Sequence, residues 1–127
     1  MLSIAIYSNN NDNVALLKSA IQDFLIEHKI MAKVCHFQKS EEMILVPIRY
    51  DAYIIDMDTE EDAIALGTTM REIDIGSHFI YMSFDTSKAY IAYKFHADYF
   101  LEKPIDIQEL NFILFRNSII MQPRLMH

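Results

Sequence analysis

Five short apolar segments, separated by longer stretches with helical spacing, constrain the fold of this chain more than any other feature. They are rich in β-branched and aromatic residues and run over Leu2–Tyr7, Ile30–Phe37, Ala52–Ile55, His78–Met82 and Asp98–Leu101. Because they are nearly all apolar rather than alternating, they are typical of strands that are covered on both faces. The pattern therefore predicts five βα units that build an α/β fold with a parallel sheet.

The stretches between these segments carry helix-start signals and apolar stripes. The predicted helices run from Asp12-Asn13 to about His28, from Ser40 to before Pro47, over roughly Glu60–Ile73, over about Ser87–His96, and from Pro104-Ile105-Asp106 to about Met121. In the last helix, Asp106 and Glu109 have capping-box spacing. That helix also has apolar residues beyond its narrow stripe, namely Phe112, Phe115, Ile119 and Ile120. We expect a partner or a further C-terminal segment to cover them.

The chain is long enough for one domain with its own core, since it has 127 residues and only two glycines and three prolines. We expect the domain over residues 1–121, with 122–127 as a tail or the start of a linker. The single cysteine, Cys35, lies in an apolar strand pattern and predicts a buried, inert thiol in a reducing cytoplasm. Neither a signal peptide nor a membrane helix is recognisable, so the sequence predicts a cytoplasmic protein.

The charge balance is acidic, with 18 Asp and Glu against 11 Lys and Arg. A surface that grips a nucleic-acid backbone needs clustered Lys and Arg, so this chain is not expected to bind DNA itself. The histidines have no spacing typical of a metal site; they are His28, His36, His78, His96 and His127.

Polar side chains follow four of the predicted strands at their carboxyl ends, where an open parallel sheet binds its ligands. These segments are Ser8-Asn9-Asn10-Asn11-Asp12, Asp56-Met57-Asp58, Ser83-Phe84-Asp85 and Glu102-Lys103-Pro104. Together they offer a carboxylate, oxygen ligands for a hard cation, and an ammonium group, which are the groups that a phosphoryl site requires. This edge of the sheet is the candidate functional site.

The order of Asp56 on strand three, Ser83 on strand four and Lys103-Pro104 after strand five resembles the receiver domain of two-component response regulators. The resemblance covers nearly the whole chain. The segment from Ala92 to Pro104, AYKFHADYFLEKP, is especially similar to receivers that precede LytTR-type DNA-binding domains. The resemblance implies a CheY-like, flavodoxin-like sheet with strand order 2-1-3-4-5 and five helices on its two faces.

The resemblance also implies a signal acceptor rather than an enzyme. Asp56 would accept a phosphoryl group from a sensor histidine kinase, Lys103 would pair with one phosphoryl oxygen, and Ser83 would donate its hydroxyl to another. Phe100, three residues before the lysine, stands at the family's aromatic switch position. The output face would consist of the fourth helix, the fifth strand and the fifth helix, through which a homodimer is a hypothesis. Control of transcription would need DNA binding by a separate effector domain.

The residues after strand one depart from the family's pattern. Receivers place two acidic residues there to hold Mg²⁺, whereas this sequence has Ser8 and Asn9. An Asn carbonyl can serve as a ligand but supplies no charge, so we expect weak Mg²⁺ binding by Asp56, Asn9 and Asp58. Asp12 is a second candidate ligand.

A phosphorylated receiver has three alternatives. Haloacid-dehalogenase-type phosphatases share the Asp-x-Asp of Asp56-Met57-Asp58, but they place it near the N-terminus and follow it with Gly. A flavodoxin-like electron carrier needs a Ser/Thr/Gly-rich loop after strand one, and Ser8-Asn9-Asn10-Asn11 has no glycine. The alternative that stays open is a pseudo-receiver, a phosphate-independent interaction or dimerisation module in which Lys103 forms a resident ion pair with Asp56.

Overall fold

The computed structural model describes residues 2–45, 48–59 and 63–116, without the side chains of residues 115 and 116. Strands and helices alternate through this part of the chain. The elements are β1 (Leu2–Tyr7), α1 (Asn11–Glu27), β2 (Ala32–Phe37), α2 (Ser40–Leu45), β3 (Ala52–Asp56), α3 (Ala63–Ile73), β4 (His78–Ser83), α4 (Lys88–Lys94), β5 (Tyr99–Glu102) and α5 (Ile107–Arg116). None of these described helices is long and apolar enough to cross a membrane.

The strands form one parallel sheet in the order β2-β1-β3-β4-β5, which confirms the predicted fold class and strand order. The strand order reverses between β1 and β3, the position at which open α/β sheets form a crevice beyond their carboxyl ends. The register pairs Tyr7 with Ile55, Asp56 with Met82, and Ser83 with Glu102. Residues just after β1, β3, β4 and β5 are thereby gathered at one edge.

Two apolar layers cover the faces of the sheet. On one face, α1 and α5 pack against β-strand side chains that include Ile4, Ile6, Ile54, Ile80 and Leu101. On the other face, side chains of α2, α3 and α4 pack against Ala5, Tyr7, Tyr53, Ile55, Phe79 and Tyr81. The central strands are buried on both sides, which explains why their sequences are continuously apolar.

Gly67 lies in α3 where the helix packs on β4. A Cβ atom at this position would overlap the hydroxyl of the buried Tyr81. The absence of a side chain therefore lets the helix approach the tyrosine ring.

Element boundaries differ from the predictions by a few residues. α1 begins at Asn11, because the Asn10 side chain accepts a hydrogen bond of 3.0 Å from the amide of Asn13. α5 begins at Ile107, after Asp106, whose Oδ1 accepts a 2.8 Å hydrogen bond from the Gln108 amide. β2 and α4 are shorter than predicted. The predicted start of α3 at Glu60, the end of α5 near Met121 and the domain boundary at residue 121 lie outside the described residues, as do Ile119 and Ile120.

Cys35 corrects one expectation. It lies in β2 and its free thiol is only partly buried, so the prediction of a buried thiol is wrong. β2 is an edge strand, and most of its residues are half covered rather than enclosed.

Candidate functional site

A buried ion pair stands at the centre of the carboxyl edge. Asp56 ends β3 and Lys103 follows β5, and their side chains are 1% and 2% exposed. Lys103 Nζ lies 2.8 Å from Asp56 Oδ1. Removing either charge from water costs several kcal/mol, so each group needs the other where it lies.

Ser8 completes the surroundings of Asp56 from the β1 side. Its hydroxyl is buried and donates a 2.7 Å hydrogen bond to Asp56 Oδ2. The same hydroxyl oxygen accepts from the Asn10 amide at 3.1 Å, which fixes its orientation. Asp56 Oδ1 also accepts from the Asp58 amide at 3.0 Å. Both carboxylate oxygens of Asp56 are thus bonded to donors of this chain.

Asp58 makes a second set of contacts beside this pair. Its Oδ1 accepts from the Ser83 hydroxyl at 2.7 Å and lies 3.3 Å from Lys88 Nζ. Its Oδ2 accepts from the Phe84 amide at 2.9 Å and lies 3.0 Å from Lys103 Nζ. Burial by itself would raise the pKa of Asp58, but these hydrogen bonds and the Lys103 charge outweigh burial and hold that pKa well below its usual range.

The candidate Mg²⁺ ligands make different contacts in this structure. Asn9 is turned to the loop after β3, where its backbone amide donates to Thr59 Oγ1 at 3.2 Å and its side-chain amide to the Thr59 carbonyl at 3.3 Å. Asp12 lies exposed in the first turn of α1. Within the described residues, no group of three or more His, Cys, Asp or Glu side chains is placed to hold a metal. The carboxylate oxygens of Asp56 and Asp58 all accept bonds from donors of this chain.

The switch candidate Phe100 lies on β5 beside α4. Its side chain is partly buried against the apolar layer that contains Tyr53, Phe79 and Tyr81. Its backbone amide donates to the Tyr93 hydroxyl at 3.1 Å. A groove of about 460 Å³ lies beside it and includes Lys103 in its lining. Phe100 thus connects the site edge with the surface of α4.

The structure brings Asp56, Asp58, Ser83 and Lys103 together, whereas Asn9 donates its hydrogen bonds to Thr59. Sequence reasoning missed three contributors, which are the Ser8 hydroxyl, Lys88 and Phe84. The Phe84 ring lies 4.6 Å from Lys103 Nζ and covers the ammonium from outside. Lys88 begins α4 directly after the Ser83 loop, and that position at the same edge was the signal that could have found it.

Several solved structures that are similar to this chain are described as response regulators or their receiver domains. The signal receiver domain of a DNA-binding response regulator from Colwellia psychrerythraea matches with a TM-score of 0.80 and 13% identity, over 93% of this chain and 98% of that chain. A two-component response regulator from Clostridium difficile matches with 0.76 and 20%, over 96% and 98%. A putative response regulator from Chloroflexus aurantiacus matches with 0.76 and 18%, over 94% and 96%.

No protein-family model matches this sequence, and no curated protein matches it either. The likeness to the solved structures therefore rests on the path of the backbone at low sequence identity. The described strand order, the helices on both faces and the gathered strand ends agree with it. This chain has the CheY-like fold of the response-regulator receiver domains.

Proposed function

We propose that this chain is a receiver-type signal acceptor, in which Asp56 takes a phosphoryl group from the phosphohistidine of a sensor histidine kinase. The observation that supports this most strongly is the buried 2.8 Å contact between Lys103 and Asp56 at the carboxyl edge of the sheet. A carboxylate held against an ammonium is positioned for phosphoryl transfer, which depends mainly on alignment and charge stabilisation.

In the proposed transfer, one oxygen of Asp56 forms the new bond to phosphorus. The bond between phosphorus and the kinase histidine nitrogen breaks, and the electron pair returns to the imidazole. Lys103 stabilises the transferred charge, and the Ser83 hydroxyl, which lies at the same edge, donates to a phosphoryl oxygen. Mg²⁺ binding by Asp56, Asn9 and Asp58 stays a prediction of weak affinity, because the carboxylates must first leave their present donors.

We propose α4, β5 and α5 as the output face. Several of its aromatic side chains are exposed, including Tyr90, Tyr93, Phe95 and Phe112. Homodimerisation through this face, control of transcription and a LytTR-type effector domain that contacts DNA belong to the same proposal, as does a cytoplasmic location. Sedimentation analysis over a range of concentrations tests the dimer, and a monomer that stays unchanged with and without a phosphate mimic would contradict it.

A second candidate function, the phosphate-independent pseudo-receiver, is supported by a different observation. Both oxygens of Asp56 already accept bonds from this chain, with Ser8 at the position where receivers carry an acidic residue. In this function the ion pair with Lys103 is permanent, and the chain works as an interaction or dimerisation module.

Beryllofluoride, which mimics a phosphoryl group on a carboxylate, separates the two candidates. We expect its addition with millimolar Mg²⁺ to shift the amide NMR signals of Ser83 and Phe100 in the natural chain. An Asp56→Asn variant, which lacks the attachment oxygen but keeps the shape, should show no shift. Signals that stay unshifted in both the natural chain and an Asp58→Asn variant would contradict phosphoacceptance and leave the pseudo-receiver.

A further inference from the structure

The turn after β3 places the Asp58 carboxylate back over the sheet edge. The amide of Met57 donates to the Met82 carbonyl at 2.9 Å, so the chain still follows β4 beyond Asp56. The amide of Thr59 then donates to the Asp56 carbonyl at 3.2 Å, which closes a tight turn. Between these bonds, the Asp58 side chain reaches across to β4 rather than out to solvent. Its side chain is 25% exposed.

The donors around Asp58 come from three separate parts of the fold. Ser83 and Phe84 end β4 and begin the following loop, Lys88 begins α4, and Lys103 follows β5. They present a hydroxyl at 2.7 Å, a backbone amide at 2.9 Å and two ammonium groups at 3.3 and 3.0 Å. A hydroxyl, an amide and an ammonium that converge on one point form a site for an oxyanion. Hydrogen bonds to a charged acceptor are stronger than those between neutral groups.

Two of these donors, Ser83 and Lys103, are the groups that would hold the phosphoryl oxygens in the proposed function. We propose that the Asp58 carboxylate is a resident substitute for the phosphoryl group, which occupies the oxyanion site of Ser83, Phe84 and Lys103 and holds the β4–α4 loop drawn in without phosphorylation. The identity of this site as the phosphoryl site rests on the proposed function. The occupation of the site by Asp58 rests instead on the contacts of Asp58 with Ser83, Phe84 and Lys103.

The charges of the cluster agree with an occupied site. Asp56 and Asp58 carry two negative charges, and Lys103 and Lys88 carry two positive charges, so the four ion-paired groups balance. The exposed Asp85 adds a further negative charge near Lys88 and Asp58. A phosphoryl group on Asp56 would add negative charge to the same donors, and Asp58 would have to leave them. Phosphorylation and Asp58 therefore compete, and removal of the carboxylate opens the site to an external oxyanion.

Asp58→Asn tests the first part of the proposal in the absence of any phosphate. The variant keeps the shape of the side chain but removes its charge, and Asp23→Asn on the exposed surface of α1 is the matched control. We expect Asp58→Asn to shift the amide signals of both Phe84 and the more distant Phe100, and to speed hydrogen exchange at the Phe84 amide. Asp23→Asn should leave all three unchanged.

Asp58→Ala tests whether the carboxylate acts as an oxyanion, because a merely structural side chain cannot be replaced by a free ion. Titration with inorganic phosphate should return the Phe84 and Phe100 signals of this variant toward their natural positions. The apparent affinity of the variant for phosphate should exceed that of the natural chain by about tenfold or more, since the internal competitor is gone.

Two results would overturn the proposal: unchanged Phe84 exchange and Phe100 signals in Asp58→Asn, or no restoration of Asp58→Ala by phosphate. Phosphate could restore the signals of Asp58→Ala while neither the natural chain nor Asp58→Asn takes up beryllofluoride at Asp56. That result would contradict the proposed phosphoacceptor function and would still support Asp58 as the resident oxyanion.

Discussion

Lys103 and Asp56 form a 2.8 Å ion pair in which both side chains are almost fully buried. The pair joins the end of β3 to the segment after β5. These two strands are not neighbours, because β4 lies between them in the sheet. Because neither charge can reach water, the stability of the fold and the chemistry of the site depend on the same contact.

Lys103→Met should lower the free energy of unfolding by about 3–5 kcal/mol, because it leaves the buried Asp56 charge without its main partner. Urea denaturation at neutral pH measures the loss. Lys33→Met on the exposed surface of the edge strand β2 is the matched control and should change stability little. The double variant Asp56→Asn/Lys103→Met should recover part of the loss, and an equal or larger loss would argue against a charge effect.

Ser8→Asp/Asn9→Asp should make the stability of the fold depend on Mg²⁺. The change replaces the hydroxyl donor of Asp56 with a like charge, so the variant should be less stable than the natural chain in chelator. At a Mg²⁺ concentration a hundred times its dissociation constant, binding should restore about 2.7 kcal/mol. Thermal unfolding with and without Mg²⁺ checks this, with Asp56→Asn in the same background as control. If the melting temperature of the variant does not change with Mg²⁺, the two added carboxylates do not create a Mg²⁺ site.

Asp58 should contribute a pH-dependent part of the stability. Its pKa is lowered in the folded chain from a usual value of 3.8, so the contribution is present above that value and is lost as the pH falls toward the lowered pKa. Asp58→Asn should cost about 2 kcal/mol at neutral pH, as expected for hydrogen bonds to a charged group. Denaturation of both proteins should show this difference narrowing below about pH 4. A difference that stays constant in acid would contradict the assignment.

Gly67→Ala should destabilise the fold by about 1–3 kcal/mol, because the new Cβ overlaps the Tyr81 hydroxyl. In an unhindered helix the same change would stabilise the fold by about 1 kcal/mol. The sign of the change in unfolding free energy therefore separates the packing effect from helix propensity. Ala65→Gly, at an exposed position of α3, measures the propensity effect alone. Adding Tyr81→Phe to Gly67→Ala should recover part of the loss. A stabilised Gly67→Ala variant would show that α3 can move away.

The fold was largely predictable, because strands buried on both faces leave continuous apolar runs and parallel strands gather their ends. Asp56, Ser83 and Lys103 could be assigned to one edge for the same reason. The arrangement within that edge could not be predicted. The sequence identifies Ser8 only as the replacement of an acidic ligand, because its role as a hydrogen-bond donor to Asp56 depends on side-chain direction. Asp58 reaches Ser83 only because of the turn after β3, which residue spacing does not specify.

Phosphoryl uptake from acetyl phosphate tests the central claim most directly, since that donor supplies the group without a kinase. The intact mass, followed by peptide mapping, should show one phosphoryl group on Asp56 in the natural chain and in an Asp12→Asn control. Uptake should be faster in Asp58→Asn and absent in Asp56→Asn. A natural chain and an Asp58→Asn variant that both gain no more mass than Asp56→Asn would contradict the account of Asp56 as a phosphoacceptor.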